Sequence, residues 1–257
     1  MLGPQTNNKT ARAAPMRRLL FPALLAWLCC AGAQAAEPTV NVGYYEFPPY
    51  SWTDDDGKPR GSILALTERL LRHAGYRGHY RSLPGARLYA ALRDGSVQLW
   101  PGAGGKTELI GHTHEARHTM GEISLALYYR ADTPRPELPE GLKGRGLIVI
   151  SGYSYWKPTS ELLTDPTLGV DIHRTSTHAS ALAMLLRKRG DYLLNYQAPV
   201  EQVRKELGLS PLPYTILQTM QLRLIASRHV EGSQRLLNDL DSAYEALQAA
   251  GEPLQLD

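Results

Sequence analysis

Residues 111–124, GHTHEARHTMGEIS, place His114, Glu115 and His118 in the H-E-x-x-H spacing of zinc peptidases. On a helix, positions i and i+4 share one face, so both imidazoles could hold one Zn²⁺ while Glu115 drew a proton from the metal-bound water. The surroundings argue against it. Gly111, Thr113, Thr119 and Gly121 disfavour helix, and the third ligand that the extended pattern wants at position 124 is Ser124. The motif is therefore read as fortuitous, with His112, His114 and His118 left as an alternative H-x-H-x-x-x-H metal set. A second suggestive stretch, PGAGGK at 101–106, lacks the Gly-Lys-Ser/Thr ending of a phosphate loop, so no nucleotide and no cofactor is expected.

The chemistry must sit on what the rest of the chain can build. Residues 1–35 read as a cleaved secretory leader: basic Lys9, Arg12, Arg17 and Arg18, an apolar run over 19–33, and the small-residue site Ala33-Gln34-Ala35. The run is too short and wrongly flanked for a membrane span. Met16 is an alternative start, and a lipid-attached reading at Cys29 or Cys30 is disfavoured by Trp27 and Leu28. Four of the chain's 28 basic residues and none of its 25 acidic ones fall in the leader, so the remainder is close to neutral. Such a balance offers no basic stripe for nucleic acid. Both cysteines lie in the leader, which leaves the mature chain without disulfide or thiol chemistry. An exported, cysteine-free, nearly neutral globule is expected.

Beyond the leader, strand and helix patterns alternate. Val40 and Val42 alternate in a strand that breaks at Pro48-Pro49, and Asp56-Gly57 marks a turn. Helices are expected over 62–75, with Ser62 as cap and Gly75 as stop, and over 84–95, with Leu88, Ala91 and Leu92 inward. Strands follow at 78–83 and 96–105. The pattern repeats with strands near 122–130, 147–152, 191–197 and 220–229, and helices over 177–190, 200–208 and 233–251. The last puts Leu236, Leu240, Tyr244 and Leu247 on one face. Alternation of this kind implies α/β architecture with largely parallel sheets.

The order of these signals resembles the periplasmic solute-binding proteins of the polar amino-acid type. The stretches that carry the resemblance are VGYYEFPPYSWTDDDGKPRGSILALTERLL, PGARLYAALRDGSVQLW, LKGRGLIVISGYS, GDYLLNYQAPV and LRLIASRHVEGSQRLLNDLDSAYEAL. The resemblance implies a two-lobed α/β fold with a ligand cleft between the lobes. Lobe 1 would comprise residues 36–118 and 222–257, and lobe 2 residues 119–221. Two crossovers would join them, near 117–121 and 218–221. An extended crossover cannot place His114 and His118 on one helical face.

An amino-acid site needs an Arg fork for the α-carboxylate and a carboxylate for the α-ammonium. Where the resemblance puts the Arg stands Ile110, and where it puts the Asp stand Asn195, Tyr196 and Gln197. An ordinary L-amino acid is thus not the expected ligand. The corresponding positions instead supply Tyr45, Phe47, Tyr50 and Trp52 from the first turn. Trp100 and Gly102 come from the glycine loop, and Tyr153, Ser154, Tyr155 and Trp156 from the second-lobe turn. Aromatic faces suit flat or cationic solutes. Arg87, at the start of a helix, is the expected anion anchor. The resemblance implies capture of a small polar or aromatic solute for an ABC-type permease of the inner membrane. A dehydratase-like enzyme on the same scaffold, or a ligand-sensing partner of a membrane signalling protein, are the alternatives.

Overall fold

The computed structural model of the chain describes residues 1–5, 37–153 and 155–256. The expected leader beyond its first five residues, with Cys29 and Cys30, lies outside the described residues, as does Ser154. Strand β1 (Thr39–Tyr44) buries Val40 and Val42. The short hairpin of β2 (Trp52–Thr53) and β3 (Pro59–Arg60) closes through Gly57 at φ 75°. Helix α1 (Ser62–His73) follows, buried along Ile63, Leu66 and Leu70. Its cap is Gly61 rather than the expected Ser62. At φ 120° a side chain there would also drive a Cβ to 2.1 Å from the Tyr50 carbonyl oxygen, so glycine is required. Strand β4 (Arg77–Ser82), helix α2 (Gly85–Asp94) and strand β5 (Leu99–Ala103) complete the first α/β run. Leu88, Ala91 and Leu92 of α2 face inward, and Gly95 ends it in the left-handed region.

After β6 (Thr113–Glu115) and β7 (Gly121–Tyr129) come β8 (Gly146–Ile150), α3 (Lys157–Thr164) and β9 (Asp171–Thr175). Helix α4 (His178–Leu186), strand β10 (Tyr192–Tyr196) and helix α5 (Gln197–Glu206) follow, then β11 (Tyr214–Ser227) and α6 (Ser233–Ala249). Thr177 caps α4, its side-chain oxygen accepting the Ser180 N–H. Leu236, Leu240, Tyr244 and Leu247 of α6 are buried. Strands β6 and β9 and helix α3 have no counterpart in the sequence reading. Strand β9 is Asp-Ile-His-Arg-Thr at the edge of the sheet, too polar to alternate visibly.

The strands run in the order β4-β1-β5-β11-β7-β10-β8-β9, with β6 also on β11. The β4-β1-β5 and β10-β8-β9 sets are parallel, while β7 and β11 run antiparallel to their neighbours. This is a two-lobed α/β fold. The long strand β11 pairs with β7 from Tyr214 to Leu222 and with β5 from Leu222 to Ala226, so it passes from one lobe to the other. At the crossing, Thr219 pairs with Ser124, Gln221 with Glu122 and Leu222 with Gly121. The Ser124 and Thr219 hydroxyls lie 3.0 Å apart there. The end of the chain braces the same place: Leu256 N–H donates to the Met120 carbonyl at 2.8 Å and Gln255 Nε2 to that of Thr119 at 3.2 Å. Among the described residues no helix is long and apolar enough to cross a membrane.

Candidate functional site

A cleft of about 710 Å³ opens where the carboxyl ends of the parallel strands of both lobes converge. On the first-lobe side, the end of β1 supplies Tyr45 and Glu46, β2 supplies Trp52 and Thr53, the end of β4 supplies Ser82, and α2 supplies Gly85 with Tyr89 one turn on. On the second-lobe side, Ser151, Gly152 and Tyr153 follow β8, while Thr177 and His178 begin α4. Tyr196 from the end of β10 and Gln202 from α5 complete that wall. The two sides touch through aromatic rings. Tyr45 and Tyr153 have centroids 6.1 Å apart, and Phe47 meets Tyr196 edge-on at 5.1 Å. Such pairs contribute about 0.5–1.5 kcal/mol each beyond the area they bury.

A chain of hydrogen bonds fixes the second-lobe wall. Asn195, fully buried, accepts the Tyr196 N–H at its Oδ1, 2.9 Å away, which leaves its amide nitrogen facing His178 Nδ1 at 3.0 Å. Nδ1 is then the acceptor, so Nε2 carries the hydrogen and donates to the Tyr153 oxygen at 3.0 Å. The Tyr153 hydroxyl in turn donates across the cleft to the Glu46 carbonyl at 3.4 Å. Burial lowers the His178 pKa to about 4, so the ring is neutral at physiological pH. Burial also raises the pKa of Tyr45, Tyr153 and Tyr196, which keeps their hydroxyls protonated. Beside this wall, Lys106 Nζ lies 3.4 Å from the centroid of the Trp156 ring and 5.8 Å from that of Tyr89. Burial lowers its pKa to about 7.

Of the residues singled out from sequence, Tyr45, Trp52, Tyr153 and Tyr196 line the cleft. Phe47, Tyr50, Trp100, Gly102, Tyr155 and Asn195 are buried and are not among the residues that line it. Pleat parity explains Trp100: it points from β5 toward α2 and packs on Tyr89, while its neighbours Leu99 and Ala103 face the other core. Gly102 lies on the same face, where a Cβ would come within 2.0 Å of the Trp100 ring. Phe47 stacks on Tyr50 at 5.5 Å, and the Tyr155 hydroxyl accepts the Ile150 N–H at 3.3 Å. Arg87 is exposed on α2 and is not among the lining residues, because the helix turns it away from the wall that Gly85 and Tyr89 form. Its side chain therefore stands outside the cleft wall in which the sequence suggested an anion anchor. Ile110 is 72% exposed, far from the setting a buried carboxylate fork requires.

His178, Tyr89, Gln202 and the fixed carboxylate of Glu46 carry much of the cleft's polarity. The visible signal for His178 is its place in the first turn of a helix that follows a strand end.

The H-E-x-x-H residues serve other ends. His114 and Glu115 lie in strand β6, not on a helix. Glu115 Oε1 accepts the Gly105 N–H at 2.8 Å and so pins the glycine loop. His118 stacks on Tyr244 at 4.6 Å and meets Glu245 at 3.0 Å, and Arg117 bonds Asp241. His112 instead faces His229, at 3.0 Å between ring nitrogens. Among the described residues no three His, Cys, Asp or Glu side chains are grouped to hold a metal.

No protein-family model matches the sequence, and no curated protein matches it. Solved structures do. A histidine kinase sensor domain with similarity to periplasmic binding proteins is 23% identical, with 84% of this chain and 92% of that one covered at a TM-score of 0.67. An ancestral arginine-binding protein bound to arginine is 19% identical, with 84% and 95% covered, also at 0.67. An ancestral amino-acid-binding protein, a precursor of cyclohexadienyl dehydratase, is 17% identical, with 83% and 90% covered at 0.62. At these identities the likeness establishes the architecture and leaves the ligand to the cleft itself.

Proposed function

We propose that this chain, which has the two-lobed periplasmic-binding-protein fold, captures a small polar or aromatic solute between its lobes and presents it to a membrane partner. The observation that carries the reading is the cleft between the lobes, walled by tyrosines from both sides. The first lobe is assigned to 36–118 and 222–257 and the second to 119–221, with export to the periplasm through the 1–35 leader. An ABC-type permease is the partner that fits this role, and the chain acts as a monomer. Binding alone accounts for the cleft. Among the described residues that line it, the one carboxylate, Glu46, is occupied by three hydrogen bonds, and the one imidazole, His178, is held between Asn195 and Tyr153. Neither is poised as a free acid or base for a dehydration.

Among the described residues that line the cleft there is no Lys or Arg to pair an α-carboxylate, so no common L-amino acid should bind with sub-micromolar affinity. A thermal-shift panel of amino acids, aromatic amines, sugars and organic acids should find its stabilising solute outside the first class, since only a ligand of the folded state raises the melting temperature. Tyr45→Ala and Tyr153→Ala should each weaken that solute by about 2–10-fold through lost ring contact. The radius of gyration should fall on binding as the lobes close. Tight calorimetric binding of an L-amino acid, or a solute indifferent to both tyrosines, contradicts the reading.

A further inference from the structure

Charge and donor–acceptor balance narrow the solute further, on the premise that the cleft captures one. Among the described residues that line it there is no Lys or Arg, and the one carboxylate is Glu46. Three donors hold that carboxylate at the mouth. Its Oε2 accepts the Thr53 N–H at 3.0 Å, and its Oε1 accepts the hydroxyls of Thr53 at 2.8 Å and Ser82 at 2.7 Å. A group held this way keeps its position when a ligand arrives. The rings of Tyr45, Trp52 and Tyr153 border the same space, and π faces attract organic cations.

The opposing influences are weaker. The N-terminus of α4 borders the second-lobe wall, but a helix end carries the equivalent of about half a charge. One of its free N–H groups, that of Ser180, is already taken by Thr177 at 3.1 Å. Lys106 lies against Trp156 and is not among the lining residues.

We infer that the cleft takes a small organic cation with N–H donors and no carboxylate, its nitrogen drawn to Glu46 and its apolar body laid against the tyrosine rings. This differs from an amino-acid site in needing one charge and not two.

Calorimetry with four probes that share a phenol ring tests it: tyramine as cation, 4-ethylphenol as neutral body, 4-hydroxyphenylacetate as anion and tyrosine as zwitterion. Tyramine should bind about tenfold or more tighter than 4-ethylphenol, with the anion and the zwitterion weaker than tyramine. Glu46→Gln should erase most of that preference, and its melting temperature reports whether the fold survives the change. The order among the four on the unaltered protein stands independently of that variant. Tighter binding of the neutral, anionic or zwitterionic probe overturns the cation assignment and leaves capture standing. The same holds if an uncharged solute from a wider panel binds the cleft while tyramine does not. Absence of binding by every solute overturns both.

Discussion

Trp100→Ala should cost the fold about 3–5 kcal/mol, whereas Trp52→Ala should cost about 1 kcal/mol or less. Both tryptophans are candidates for the site on sequence grounds, and the structure separates them. Trp100 is 1% exposed and fills the space between β5 and α2, with Tyr89 at 5.4 Å and Tyr45 at 6.0 Å. Truncation there leaves a cavity that the surrounding strand and helix cannot collapse to fill. Trp52 is half-buried on a two-residue strand of the small hairpin and borders the cleft. In a chain of this size the Trp100 variant should melt about 6–20 °C lower. The Trp52 variant should melt within about 4 °C of the unaltered protein and lose solute affinity. Equal melting temperatures for the two would show that Trp100 is not a core residue.

The second large effect concerns Lys106. The residue is 5% exposed, and burial lowers the pKa of its amine from 10.5 to about 7, a difference equivalent to about 5 kcal/mol between the charged and neutral forms. The nearby Glu108 acts in the opposite direction but does not cancel the shift. The attraction between an ammonium and the Trp156 ring is worth about 2 kcal/mol when desolvated, so desolvation prevails. The sign follows from proton counts. Between about pH 7 and 10.5 the unfolded chain holds a proton on this lysine that the folded chain does not, so stability rises with pH across that window. From pH 7 to 9 the gain should be about 2–3 kcal/mol by chemical denaturation. Lys106→Met should flatten the profile over the same range. A profile that is flat already, or unchanged by the substitution, would place an ordinary ammonium at this position.

Much of the fold was legible because its elements obey local rules. Val40 and Val42, the Asp56-Gly57 turn, the apolar stripe of α6 and the glycine stop of α2 each depend on a few neighbouring residues. The elements that escaped notice are those without an apolar period, such as the polar edge strand β9. The cleft was legible only in part. Turns rich in tyrosine announce where aromatic rings gather, and Tyr45, Trp52, Tyr153 and Tyr196 do border the cavity. Which face a ring takes depends on pleat and rotation against a distant partner, and no local pattern supplies that for Trp100 or Arg87. His178 is a further case. Its role comes from Asn195, 17 residues away, and from Tyr153, 25 residues away, brought together only by the parallel register of β8, β9 and β10.

The most direct test is an amide NMR titration of the isotope-labelled full-length protein with the solute that gives the largest thermal shift. Capture between the lobes requires both walls to sense one event. The amides of Glu46 and Gly85 on one side, and of Gly152 and Thr177 on the other, should move together and fit a single dissociation constant. Shifts confined to one wall, or centred away from the cleft, would contradict capture between the lobes.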